Sequence, residues 1–164
     1  MFIEHWKHTA FGSDFGSDVL RFLESFPGQK ISLEDIYSRC DLRTYFAEPE
    51  LLLRRADNNV TFTVPSMGDM PITVHYEDMV IAICAVAAES AVAGTADLAN
   101  AFGTKSVVLN TTDDELQTLE RALTEIHQWP ERFILFVMCG HEERQETLAD
   151  VRSILEQLRS AITH

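Results

Sequence analysis

The chain has 164 residues, of which 46% are hydrophobic and 24% are charged, a composition typical of globular proteins. Its 26 acidic residues outnumber the 13 lysines and arginines, which gives a net charge of -13 at pH 7. This excess disfavours binding to nucleic acid and to anionic membranes, and it favours association with a basic protein. The length fits one domain, so we expect residues 1–164 to form a single globular domain.

The cysteines and the N-terminus bear on the cellular compartment. Cys40, Cys84 and Cys139 are odd in number and too far apart in sequence for a CxxC redox or metal site. The first residues lack the basic segment and apolar run of a signal peptide. The longest apolar run, residues 79–88, is shorter than the roughly 18 residues that cross a bilayer. We therefore expect a cytoplasmic bacterial protein without a disulfide framework, a metal or a cofactor.

The chain begins with weak structural signals. Residues 2–7 are expected to form a short strand. A tandem FGSD sequence at residues 11–18 predicts a loop leading into a helix that Ser17 or Asp18 caps. The apolar face of this helix comprises Val19, Phe22, Leu23 and Phe26. Phe11 and Phe15 of the tandem sequence are either exposed anchors for a partner or, as the burial preference of phenylalanine favours, core residues.

Clearer helix signals follow. Ser32 and Asp35 have the spacing of a capping box and predict a helix that runs to about Cys40. Residues 51–55 fit either a helix or a strand that turns back into the next segment. Because Pro49 favours the first turn of a helix, the helix is the preferred interpretation.

The middle of the chain predicts a hairpin and a buried helix. Residues 60–64 and 72–76 are rich in β-branched residues and alternate in polarity, which is typical of strands, and residues 65–71 form the loop between them. Residues 78–92 are almost continuously apolar and predict a buried helix that ends at Gly94.

The last third predicts alternating strands and helices. Residues 106–109 form a strand, and Thr112 and Glu115 have capping-box spacing at the start of the next helix. Residues 133–138 are expected to form a strand buried on both faces, followed by a helix over residues 142–161. This order predicts a right-handed βαβα unit with parallel strands. The fold class is therefore α/β, or mixed α+β, with three-layer-like packing around a small mixed sheet.

Parallel strands would bring one chemically reactive cluster together. Cys139 and His141, beside acids at the carboxyl edge of the sheet, resemble a thiolate with its base, or a metal site. A simpler interpretation is that Cys139 is an inert core residue and that the acids stabilise helix starts through the helix dipole. We favour the second interpretation and predict no catalytic residues.

The acidity is uneven along the sequence. Residues 77–120 contain eight acidic residues and one basic residue, Lys105, for a net charge of -7. A surface of one sign produces a field that steers a partner of opposite charge. The residues expected to bind a basic protein partner are Glu77, Asp78, Asp113, Asp114 and Glu115.

Three functional hypotheses follow. The first is a non-enzymatic acidic protein-binding domain. In size, acidity and lack of a catalytic motif, the chain resembles the small immunity proteins that block nuclease toxins, although it shares no motif with a particular family. The second is an assembly or adaptor domain that acts as a homo-oligomer, for which a homodimer with an exposed apolar face is the expected form. The third is a small enzyme or ligand sensor that uses the cluster around Cys139 and His141.

Overall fold

Helices make up most of the chain, and its strands form two small sheets. The computed structural model describes residues 2–54, 58–68 and 70–162. The α-helices are α1 (Phe2–His5), α2 (Asp14–Glu24), α3 (Leu33–Tyr37), α4 (Leu42–Ala47), α5 (Leu51–Arg54), α6 (Tyr76–Ala93), α7 (Asp113–Gln128), α8 (Ile134–Met138) and α9 (His141–Ala161). The strands are β1 (Lys30–Ser32), β2 (Asn59–Phe62), β3 (Ile72–His75), β4 (Ala96–Asp97) and β5 (Ser106–Asn110). The predicted combination of helices with small sheets is confirmed.

The larger sheet has the strand order β1-β5-β4. The central strand β5 pairs in parallel with β1, where Ile31 lies opposite Leu109, and antiparallel with β4. The sheet is therefore mixed, as predicted. The second sheet is the β2-β3 hairpin, in which Val60 lies opposite Val74. A 3₁₀-helix over Pro65–Met67 occupies part of the predicted hairpin loop, and residue 69 lies outside the described residues.

Helix α6 is the centre of the core. Because it is apolar around its whole circumference, it can be covered on every side without burying many polar groups. It packs against α1, α2, α7, α9 and β5, and its residues from Tyr76 to Ser90 are buried. Gly94, with a φ of 81°, ends the helix in the left-handed conformation. The predicted buried helix is confirmed, with its start two residues earlier.

The predicted strand over residues 2–7 is wrong, because Phe2–His5 form helix α1. Ile3 and Trp6 are both buried, and a separation of three residues places them on one helical face. Helix α2 also begins earlier than predicted. Its cap is Ser13, whose hydroxyl accepts the N–H of Gly16 at 3.0 Å, rather than Ser17 or Asp18.

The predicted strand over residues 133–138 is also wrong, and with it the parallel βαβα unit. Ile134–Met138 form helix α8, and Phe133 and Phe136 are buried three residues apart while Val137 and Met138 are exposed. A short apolar run fits either structure, and the tertiary context decides. Here β1 and β4 already occupy both edges of β5, so the sheet has no free edge beside β5 for another strand.

The local helix signals in the rest of the chain are largely confirmed. Both capping boxes are present, at Ser32 with Asp35 and at Thr112 with Glu115. Helix α3 ends at Tyr37 instead of near Cys40, and α5 occupies Leu51–Arg54, with residue 55 outside the described residues. None of the helices in the described ranges is long and apolar enough to cross a membrane.

Candidate functional site

The structure divides the five predicted binding residues into two groups. Glu77 and Asp78, in the first turn of α6, are only 1% and 6% exposed. Asp113 and Asp114, in the first turn of α7, are exposed, and Glu115 is half-buried. Two of the five residues are therefore buried and offer a macromolecular partner almost no surface.

The start of α7 presents the accessible acids. The Glu115 carboxylate accepts the N–H of Thr112 at 2.8 Å, and the Thr112 hydroxyl accepts the N–H of Glu115 at 3.2 Å. Glu115 therefore serves mainly as a cap. It also lies near Tyr37, whose pKa rises to about 12 through burial and, secondarily, through the charge of Glu115. Asp113 and Asp114 remain as the exposed members of the predicted set.

The buried acids form a cluster with His75, the residue that precedes α6. The His75 Nδ1 lies 3.1 Å from Oδ2 of Asp78 and 4.0 Å from Oε1 of Glu77. Oε1 of Glu77 also accepts the N–H of Leu135 at 3.1 Å, which connects the start of α6 to α8. The ligand-type atoms of His75, Glu77 and Asp78 lie within 4.8 Å of one another, a separation that a divalent metal ion tolerates.

Burial dominates the electrostatics of this cluster. The pKa of Asp78 is raised to about 7, mainly because burial disfavours the charged form; the charge of Glu77 acts in the same direction and His75 opposes it. Burial also raises the pKa of Glu77. Within the described ranges, no lysine or arginine forms an ion pair with either acid. The pair thus places two acidic groups, beside His75, where water solvates them poorly.

A groove opens beside the cluster and is here called the α8 groove. Its volume is about 380 Å³, within the range of ligand-binding clefts. It is lined by Ser13, Phe15, His75, Asp78, Ile134, Leu135, Met138, Cys139 and Glu143. The Phe15 ring packs against the His75 ring with 4.7 Å between centroids, so it forms one wall. Met138 is 80% exposed, and the neighbouring Val137 is 61% exposed.

The structure does not place Cys139 and His141 at a sheet edge, as the alternative reactive cluster required. It required residues 133–138 to be a strand that ends beside β5, and they form α8 instead. The Cys139 thiol donates to the carbonyl oxygen of Phe136 at 3.5 Å, and His141 is exposed in the first turn of α9. Cys139 is half-buried and lines the α8 groove, so the expectation that it belongs to the core is wrong.

The sequence interpretation missed most of the groove. Phe11 is buried and Phe15 is 39% exposed, so the two phenylalanines of the tandem FGSD take opposite roles, one in the core and one in the groove wall. His75 carried no recognisable motif. A helical interpretation of residues 133–138 would have found the exposed pair Val137 and Met138, because it separates them from Phe133 and Phe136.

Comparison with known proteins assigns the chain to a family. The model of the family described as Immunity protein 68 matches residues 2–158, which is nearly the whole chain. No curated protein and no solved structure matches the chain significantly. Because the match covers α1 through most of α9, the chain belongs to the Immunity protein 68 family.

Proposed function

We propose that this immunity protein neutralises a basic, nuclease-like toxin by binding it directly in the cytoplasm, without catalysis. Family membership supports a toxin as the partner. The single observation that supports a basic toxin is the net charge of -13, with acids twice as numerous as lysines and arginines. Opposite charge accelerates the encounter of two proteins and disfavours partners of like charge.

The chemistry of nucleases supports the same proposal. A protein that binds a phosphate backbone needs a positively charged surface, and this surface attracts any protein of strongly negative charge. An acidic inhibitor placed there would compete with the nucleic acid for the same lysines and arginines. Neutralisation then needs only binding, which agrees with the absence of a recognisable catalytic motif in the sequence.

The proposed contact residues are the exposed acids at the start of α7. Asp113 and Asp114 are accessible, and Glu115 adds negative charge beside them while it caps the helix. Glu77 and Asp78 are also proposed to contribute to binding, although neither is exposed. Both are buried, and Asp78 lines the α8 groove, so a partner would contact Asp78 there while Glu77 adds negative charge behind it.

A co-expression experiment tests the proposal. Genes that neighbour the gene for this chain are expressed singly in a bacterial host, and any toxic product is expressed again together with this chain. We expect one product to be toxic, basic and able to degrade nucleic acid, and we expect this chain to restore growth and to co-purify with it at low salt. A rescued toxin that is acidic, or that leaves nucleic acid intact, would contradict the proposal.

A further inference from the structure

The α8 groove combines apolar walls with buried negative charge. Phe15, Ile134 and Met138 contribute apolar surface, and Asp78 and Glu143 contribute carboxylates. No lysine or arginine is among the described residues that line it. A groove of this composition complements a side chain that has an apolar stem and a cationic end.

The Asp78 carboxyl group lies at the wall of the groove and is poorly solvated. It is 6% exposed, and its described hydrogen-bond partner is His75, at 3.1 Å. Glu77, which is 1% exposed, adds a second negative charge on the same helical turn. A buried carboxylate without a full positive partner is costly, and a cation that enters the groove would relieve that cost.

We propose that the α8 groove receives an arginine side chain of the toxin, with its guanidinium group paired to Asp78 and its aliphatic stem covered by Phe15, Ile134 and Met138. This inference rests on the proposed function, since the toxin supplies the arginine. It adds an anchoring site that is separate from the exposed acids at the start of α7.

Arginine fits the groove better than lysine does. The guanidinium group is planar and weakly hydrated, stacks on aromatic rings and forms several hydrogen bonds to carboxylates, whereas the lysine ammonium is compact and strongly hydrated. The Phe15 ring lines the groove and offers a face for stacking. Asp78 and Glu143 offer carboxylate oxygens for the guanidinium N–H groups.

A titration with a small probe tests the groove without the toxin. The ¹⁵N-labelled chain is titrated with N-acetyl-arginine amide and, separately, with N-acetyl-citrulline amide, which has nearly the same shape and no charge. We expect saturable shifts of the backbone amide signals of Phe15, His75, Leu135 and Met138 with the arginine compound only. Equal shifts with both compounds, or shifts outside the groove alone, would overturn the inference.

Two variants and one control test whether the probe binds in the α8 groove. Asp78→Asn removes the charge and keeps the shape, and Met138→Lys places a cation at the rim of the groove, where the side chain is 80% exposed. Each is expected to weaken probe binding by about tenfold or more, Asp78→Asn because one partner of a close charge pair is lost and Met138→Lys because its cation repels the probe. Glu50→Gln removes an exposed acid elsewhere and should leave binding unchanged. Unweakened binding by Asp78→Asn would overturn the inference.

Other occupants of the groove give different results. Tight binding of zinc chloride with shifts at His75 and Asp78, together with no response to the arginine compound, would identify a metal site and overturn the inference. Sedimentation that shows a dimer dissociated by Met138→Lys would identify a second copy of this chain as the occupant and would also overturn it.

The toxin experiment separates this inference from the proposed function. If the wild-type chain neutralises a toxin and Asp78→Asn binds that toxin with unchanged affinity, the groove inference fails and the proposed function stands. If the groove binds the arginine compound and the chain neutralises no toxin, the proposed function fails. If the proposed function and the groove inference are both correct, the wild-type chain neutralises the toxin and Asp78→Asn binds that toxin about tenfold more weakly.

Discussion

At the scale of single residues, the burial of Asp78 makes the stability of the fold depend on pH. Its pKa is raised from 3.8 to about 7, mainly by burial and also by the charge of Glu77, while His75 opposes the rise. The folded chain therefore binds this proton more tightly than the unfolded chain does. The stabilisation from that proton is fully present below the unfolded-state pKa and is lost as the pH rises through about 7.

The substitution Asp78→Asn should reveal this loss. Because asparagine carries no charge, the variant avoids the cost of ionising a buried carboxyl group and still hydrogen-bonds His75. We expect its free energy of unfolding to exceed that of the wild type at pH 8, with a smaller difference at pH 5. Urea denaturation at both pH values measures this, with Glu50→Gln as a control that should show no pH-dependent difference. A gain of equal size at both pH values would contradict the interpretation.

The glycines of the tandem FGSD sequence allow two backbone segments to approach closely. A Cβ atom on Gly16 would lie 2.1 Å from the carbonyl oxygen of Ala10, and one on Gly12 would lie 2.4 Å from that of Lys7. Both obstacles are backbone atoms, which cannot rotate away. The sequence predicted a loop here from turn propensity, and it gave no sign that the glycines serve packing.

The substitution Gly16→Ala is therefore expected to lower the free energy of unfolding by about 1–3 kcal/mol, the usual cost of overpacking. Gly140→Ala is the control without a clash, because a Cβ atom there would have no neighbour within 4 Å and the φ of -67° suits alanine; its expected cost is the weaker preference of alanine for the N-cap of α9, about 0.5–1 kcal/mol. Thermal and urea denaturation of both variants measure the difference. Equal stability of the two variants would show that the segment before α2 moves aside.

At the scale of elements, the sequence predicted features that depend on a few neighbouring residues. The capping boxes at Ser32 and Thr112 were correct because each consists of hydrogen bonds within four residues. Short apolar runs such as residues 133–138 were misinterpreted, because the choice between strand and helix depends on distant partners. The pairing of β5 with β1, far away in the sequence, had no local signal at all.

In helix α8, one of two adjacent residues is buried and the other is exposed, which predicts different effects of substituting them. Phe136 is 1% exposed and Val137 is 61% exposed. We expect Phe136→Ala to lower the free energy of unfolding by about 3–5 kcal/mol, and Val137→Ala to change it by less than about 0.5 kcal/mol. Chemical denaturation measures both values. In a strand buried on both faces, as the sequence predicted, both substitutions would be strongly destabilising, so that result would contradict the helix.

At the scale of the whole molecule, the sequence predicted the sign of the charge and left its distribution open. The segment with a net charge of -7 contains Glu77, Asp78 and Glu89, all of which are buried, so its surface is less acidic than the sequence implied. The α8 groove is assembled from α2, α6, α8 and α9, and no continuous stretch of sequence contains it. Sites that combine distant segments need the tertiary fold to be recognised.

The exposed acids test whether the charge steers association with the toxin. The double variant Asp113→Asn with Asp114→Asn is expected to lower the association rate constant by about three- to tenfold at low salt and to flatten its salt dependence, with the dissociation rate constant changed less. Surface plasmon resonance at several salt concentrations measures both rates. Because acids in the first turn also stabilise α7 by about 0.3–1 kcal/mol each, the stability of the variant is measured in parallel.

The matched control is Glu48→Gln with Glu50→Gln, which removes the same charge from another exposed segment. If association depends only on net charge, both double variants slow it equally, because long-range attraction then follows the total charge. If the start of α7 faces the toxin in the encounter, the Asp113 and Asp114 variant slows it more, since screening confines the field to about 10 Å at 0.1 M salt. An unchanged association rate constant for both variants at low salt would exclude electrostatic steering of the toxin. Apolar and buried contacts, such as those of the α8 groove, would then account for the affinity.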